Sequence, residues 1–131
     1  MSKVGKAIYN ILSNNSPVSS ITTNISPLIV GQTVDLPAII YRTSDNTPSD
    51  TKNGVSLLDE IMVEIEFIAE TYSVVEDLSA KARTALDRYS GTANGVKVQS
   101  VQFTGELDSY GKFEDGLYNL TQTYVFRIEL N

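Results

Sequence analysis

The sequence predicts an α+β fold in which a mostly antiparallel β-sheet of about five strands carries two helices packed on one face. Three observations predict it. Residues 59–70 carry the clearest period-two alternation in the sequence, the pattern of a half-buried strand. Residues 73–90 instead set Val75, Leu78, Ala82, Ala85, Leu86 and Tyr89 on one helical stripe. The elements also come segregated, in the order α-β-β-β-α-β-β, which differs from the strand–helix alternation of a parallel sheet. At 131 residues the chain fits one domain, 1–131, large enough to hold a core without metals or disulfides.

In chain order, Val4, Ala7, Ile8, Ile11 and Leu12 recur at helical spacing and predict a helix over about 3–13, stopped by Asn14-Asn15-Ser16-Pro17. Residues 18–24 read as a turn or a short helical piece. Residues 25–30 form a short apolar run whose Pro27 suits an edge or irregular strand. Residues 37–43 make a stronger strand, rich in β-branched and aromatic side chains. Residues 44–56 read as a polar loop of about thirteen residues, near the length beyond which loops are functional or disordered.

The strand at 59–70 turns Ile61, Val63, Ile65, Phe67 and Ala69 to one face, and Glu60, Met62, Glu64, Glu66, Ile68 and Glu70 to the other. Ser73-Val74-Val75-Glu76 matches a capping box for the second helix, and Gly91 suits a left-handed stop. Residues 96–107 and 117–130 read as two more strands joined by a hairpin loop over 108–116. The last strand alternates Tyr118, Leu120, Gln122, Tyr124, Phe126, Ile128 and Leu130 against a polar face.

Composition narrows the chemistry. The chain has no cysteine and no histidine, so disulfides, thiolate metal sites and histidine-dependent nucleophilic catalysis are excluded. Ten basic and sixteen acidic residues give a net charge of −6, with the basic ones scattered, the opposite of a nucleic-acid footprint. No apolar run is long enough to span a bilayer, and no membrane partner is expected. Gly91-Thr92-Ala93-Asn94-Gly95 follows a helix and precedes a strand, the reverse of a phosphate-binding loop, and reads as a helix stop plus a turn. No cofactor is implied.

The carboxylates Glu60, Glu64, Glu66 and Glu70 remain. Alternate residues on a strand lie roughly 6.5–7 Å apart, which could frame a metal or an acid–base pair. A solvated or interface face that discourages edge pairing is the preferred reading. Seven tyrosines without a tryptophan favour interfaces. Tyr110 and Phe113, on the predicted hairpin tip, either face a partner or fold back on the sheet. Asp50 and Lys52, in the 44–56 loop, sit on either a docking arm or a tolerated insertion.

Several stretches taken in order resemble the phage and prophage tail-completion proteins, the tail-terminator or head–tail joining family. They are the opening helix, Ile25-Ser26-Pro27-Leu28-Ile29-Val30, Leu36-Pro37-Ala38-Ile39-Ile40-Tyr41, and the run Val63-Glu64-Ile65-Glu66-Phe67-Ile68-Ala69-Glu70-Thr71-Tyr72 into an alanine-rich helix. The finish from Asp115-Gly116-Leu117-Tyr118 to Phe126-Arg127-Ile128 completes the pattern, which covers nearly the whole chain. Ser26, where an aromatic is commoner, and the polar Asn14-Asn15-Ser16-Pro17 depart from it. The resemblance implies a non-enzymatic virion protein of the tail or neck, made in the host bacterial cytoplasm. It would form a homo-oligomeric ring, a hexamer, on the head-proximal end of the tail tube. Its partners would be the tail-tube protein and the head–tail connector, with DNA passing through without specific binding. The Glu60, Glu64, Glu66, Glu70 face would then line the lumen or meet a basic partner. The alternatives are another neck component, such as a head-completion or stopper protein, and a carboxylate-based ligand-binding or enzymatic α+β domain.

Overall fold

The computed structural model describes residues 4–27, 35–51, 54–108 and 117–129. It is α+β, built in the order α1 (Val4–Ser13), α2 (Ser16–Ser19), β1 (Ile25–Pro27), β2 (Ala38–Thr51), β3 (Gly54–Ala69), α3 (Tyr72–Leu86), β4 (Gly91–Ala93), β5 (Val96–Asp108) and β6 (Tyr118–Glu129). The strands form one sheet, ordered β1-β2-β3-β6-β5-β4. All neighbours are antiparallel except β1, which runs parallel to β2 with Ile25 opposite Ile39.

The sheet thus has six strands where five were expected, three helices instead of two, and a mixed edge. The added strand is Gly91–Ala93. Asn94 (φ 51°) and Gly95 (φ 79°) make a two-residue turn whose twist matches a hairpin, so Ala93 pairs with Val96. The added helix is one turn. Asn15 accepts a hydrogen bond from the Val18 backbone N–H at 3.2 Å, and Pro17 occupies the first turn, where its missing N–H costs nothing.

The stretch expected as a loop over 44–56 is mostly strand. Beyond Tyr41 no third strand covers β2 among the described residues, and such an edge position tolerates Pro48 and the run of Asp, Asn, Ser and Thr. Pairing with β3 continues, through shifts between Thr43 and Asp45 and between Ser49 and Thr51, until Thr51 meets Gly54. Among the described residues the last pairing of β6 with β3 sets Glu129 opposite Leu58.

The core lies between the helices and one sheet face. From α1 it takes Val4, Ala7, Ile8, Ile11 and Leu12; from α3, Val75, Leu78, Ala82 and Leu86. The sheet answers with Ile39, Ile61, Val63, Ile65, Phe67, Leu120, Tyr124, Phe126 and Ile128. A fully enclosed Phe67 or Phe126 contributes on the order of 2–3 kcal/mol by burial alone. Tyr41 lies against α1 at its one glycine, where a Cβ on Gly5 would stand 3.1 Å from Tyr41 Cε1. The small residue lets helix and strand approach.

Helix α3 starts and stops earlier than the periodicity suggests. Thr71, in an extended conformation, is the N-cap and accepts from the Val74 N–H at 3.4 Å, two residues before the expected Ser73. The left-handed residue after the helix is Arg88 (φ 66°), three residues before the expected Gly91, which sits in β4. The Asp87 N–H still donates to Arg83 O and the Tyr89 N–H to Leu86 O, satisfying two of the last carbonyls.

Candidate functional site

Two surfaces carry the polar chemistry. The first is the sheet face turned away from the helices. Antiparallel register sets Arg42 opposite Glu64 and Arg127 opposite Glu60. Arg42 Nη2 lies 2.7 Å from Glu64 Oε1 and its Nε donates to the same oxygen at 2.8 Å, while Nη1 stands 3.6 Å from Glu66. Arg127 Nε donates to Glu60 Oε2 at 2.9 Å. Three of the four carboxylates picked out from the sequence are therefore on one face, as expected, but set against two guanidinium groups. Glu70 lies just past β3 and is exposed.

Towards the Ala69 end of β3 the same face becomes apolar and closed. Ala38, Ile40 and Ile68 are buried outside the main core. Asn119, opposite Ile68, is buried with its Nδ2 lacking a hydrogen-bond partner among the described residues. Met62 and, on β5 opposite Thr121, Leu107 are large apolar side chains left open on this face.

The second surface is a polar groove of about 590 Å³ between the chain leaving α3 and the outer side of β5. Arg88, Tyr89, Ser90, Gln99, Gln102 and Arg127 line it. Its floor is fixed from both sides: the Arg88 N–H donates to Val101 O at 2.8 Å, and Asp87 Oδ1 accepts from the Phe103 N–H at 3.1 Å. Behind it the Arg83 guanidinium stacks 3.8 Å from the centroid of Phe103, which meets Tyr124 edge to face. Tyr124 is fully enclosed, and burial pushes its phenol well above the ordinary value. Sequence reasoning missed this groove. The signal open to it was an arginine at a helix end with no acidic residue at helical spacing nearby.

The remaining candidates separate. Asp50 falls in β2, within the irregular tip of the hairpin. Lys52, Tyr110 and Phe113 lie outside the described residues, as does the expected loop over 109–116. Among the described residues no three of the acidic side chains come together as a metal site, and no helix is long and apolar enough to cross a membrane.

No protein-family profile matches the chain, and comparison with curated proteins finds no match. Among solved structures, a chain from the virion of a native gene transfer agent particle superimposes with a TM-score of 0.75 at 11% identity. The superposition covers 96% of this chain and 94% of that one. At that identity the two share a fold.

Proposed function

We propose that this protein is a non-enzymatic structural component of a phage-type virion, acting at the junction of tail and head as a ring of identical subunits. The observation that carries the reading is the near end-to-end match in fold to a chain of a gene transfer agent virion. The order of sequence motifs independently resembles tail-completion proteins, and the finer role follows from that resemblance. The ring, a hexamer, caps the tail tube, stops its elongation and meets the head connector.

The chemistry of the described residues supports assembly over catalysis. Without histidine or cysteine, the serines of the groove have no adjacent base, and Asp87 is already engaged with the backbone. On the outer face, Glu60, Glu64 and Glu66 are offset by Arg42 and Arg127. If this face lines a lumen, it offers DNA a weakly acidic, ion-paired wall, repulsive enough not to hold phosphates.

The test is the mass of the purified protein in solution by light scattering, over a wide concentration range, alone and with its cognate tail-tube protein. A closed oligomer near six copies, free or seated on tube ends, is the expected result. A strict monomer that ignores the tube overturns the proposal.

A further inference from the structure

The turn between β4 and β5 sets an asparagine before a glycine, and the fold leaves both chemically free. Asn94 (φ 51°) and Gly95 (φ 79°) are exposed. A Cβ on Gly95 would meet nothing within 4 Å, so neither its own side chain nor a neighbour screens the backbone nitrogen. Neither the Gly95 N–H nor the Asn94 side-chain amide makes a hydrogen bond among the described residues. A nucleophilic nitrogen and an electrophilic amide carbon on adjacent residues, unhindered and open to water, are the reactants of a self-modification.

The Gly95 nitrogen attacks Cγ of Asn94 and forms a C–N bond. The Cγ–Nδ2 bond breaks, the Gly95 proton passes through solvent to the leaving group, and ammonia departs. Water then opens the five-membered imide at either carbonyl, leaving aspartate or isoaspartate at position 94. Nothing is oxidised or reduced: one water enters and one ammonia leaves.

The fold sets the pace of this reaction. Ring closure needs Cβ of Asn94 and the Gly95 nitrogen nearly eclipsed about the Asn94 Cα–C bond. Positive φ at both turn residues is the primed hairpin geometry, which holds those two atoms far from eclipsed. The ring therefore closes only when the turn opens. Strand β4 is three residues long and is the last in the sheet order, paired with Val96–Val98 alone. Short elements of that kind open locally before the rest of a fold does.

We propose that Asn94 is a site of spontaneous deamidation whose rate in the folded protein is set by opening of the β4–β5 turn. The inference is independent of the ring reading. Isoaspartate adds a methylene to the backbone and does not restore the turn, so Ala93 loses its register with Val96. Ala93 is fully enclosed in the core, and α1 packs on β4. The modification thus loosens the sheet edge beneath α1.

Peptide mapping by mass spectrometry tests this at mildly alkaline pH, in the folded protein and in urea, with isoaspartate confirmed by enzymatic methylation. The same dipeptide at Asn53-Gly54 is the internal standard in urea. Asn94 should convert in urea alongside Asn53, and about tenfold or more slowly when folded. Thr92→Gly weakens β4 at an exposed position without touching the dipeptide. It should speed the folded-state reaction and leave the urea rate unchanged. Asn94→Gly keeps the turn and should hold its thermal midpoint through an incubation in which that of wild type falls. An Asn94 that stays intact in urea while Asn53 converts overturns the site. Equal rates folded and in urea, or equal folded rates for wild type and Thr92→Gly, overturn the gating. Conversion in urea with none in the folded protein confines the chemistry to the unfolded chain and overturns the proposal as well.

Discussion

The Tyr124 hydroxyl donates to Gln122 Oε1 at 2.6 Å, joining two fully enclosed side chains two residues apart on β6. Gln122 Nε2 in turn donates to Ser79 O on α3 at 3.1 Å and to Glu106 on β5 at 2.9 Å. A glutamine inside an apolar core thereby fixes the seating of helix on sheet. Replacing it by leucine leaves the phenol without its acceptor, so Gln122→Leu should cost about 2–3 kcal/mol in urea unfolding. Adding Tyr124→Phe should return part of that loss, and strict additivity of the two changes would show that the bond contributes nothing.

Alkali should unfold the protein through its buried tyrosines. Tyr124 is raised by burial, and Tyr41 by burial and by nearby Tyr9. A phenol whose folded pKa lies above its unfolded value leaves stability unchanged below about pH 10 and withdraws it as pH rises further. Stability should therefore be flat towards neutrality and fall above about pH 10, less steeply in Tyr124→Phe. Phenolate absorbance is expected to show part of the tyrosine population ionising only as the fold is lost.

The ion pairs of the outer face should matter little singly and more when reversed. Arg42 and Glu64 are each about a third exposed, so a double-mutant cycle should give a coupling of about 0.5–1 kcal/mol that shrinks in high salt. Glu64→Lys places like charges opposite each other and should destabilise more than Glu64→Gln. Lysine replacements along this face therefore test folding as well as any lumen, and their thermal midpoints have to be measured beside any assembly assay.

Helix α3 offers a direct contrast between pattern and geometry. Thr71→Ala should cost about 0.5–1 kcal/mol, the lower part of the range for a cap, given its long 3.4 Å hydrogen bond. Ser73→Ala should be close to neutral. Equal losses, read from denaturant midpoints, would restore Ser73 as the cap.

What the sequence discloses and what it hides divide along physical lines. The β3 alternation and the inward Gln122 and Tyr124 of β6 were legible because burial writes a period of two into a strand. The strand at 44–51 was not, because its order comes from the β3 backbone opposite and its residues carry no apolar period. The glutamate face was legible, but its neutralising partners were not, since Arg42 and Arg127 stand 22 and 67 residues from the glutamates they bind. Arg88 left only the trace of an arginine at a helix end without an acidic neighbour at helical spacing, because nothing in a composition or period marks a residue held in the left-handed region.

The position of β6 has a consequence for how the protein is made. It follows every other strand in the chain yet lies between β3 and β5, joining the β1-β2-β3 and β5-β4 halves of the sheet. A nascent chain that has emerged only through β5 holds two unjoined half-sheets, each with a raw edge waiting for the same missing strand. Synthesis outpaces architecture until β6 arrives and stitches both in one event. Anything able to supply a strand during that interval, another nascent copy included, competes for the two edges that later become the middle of the molecule.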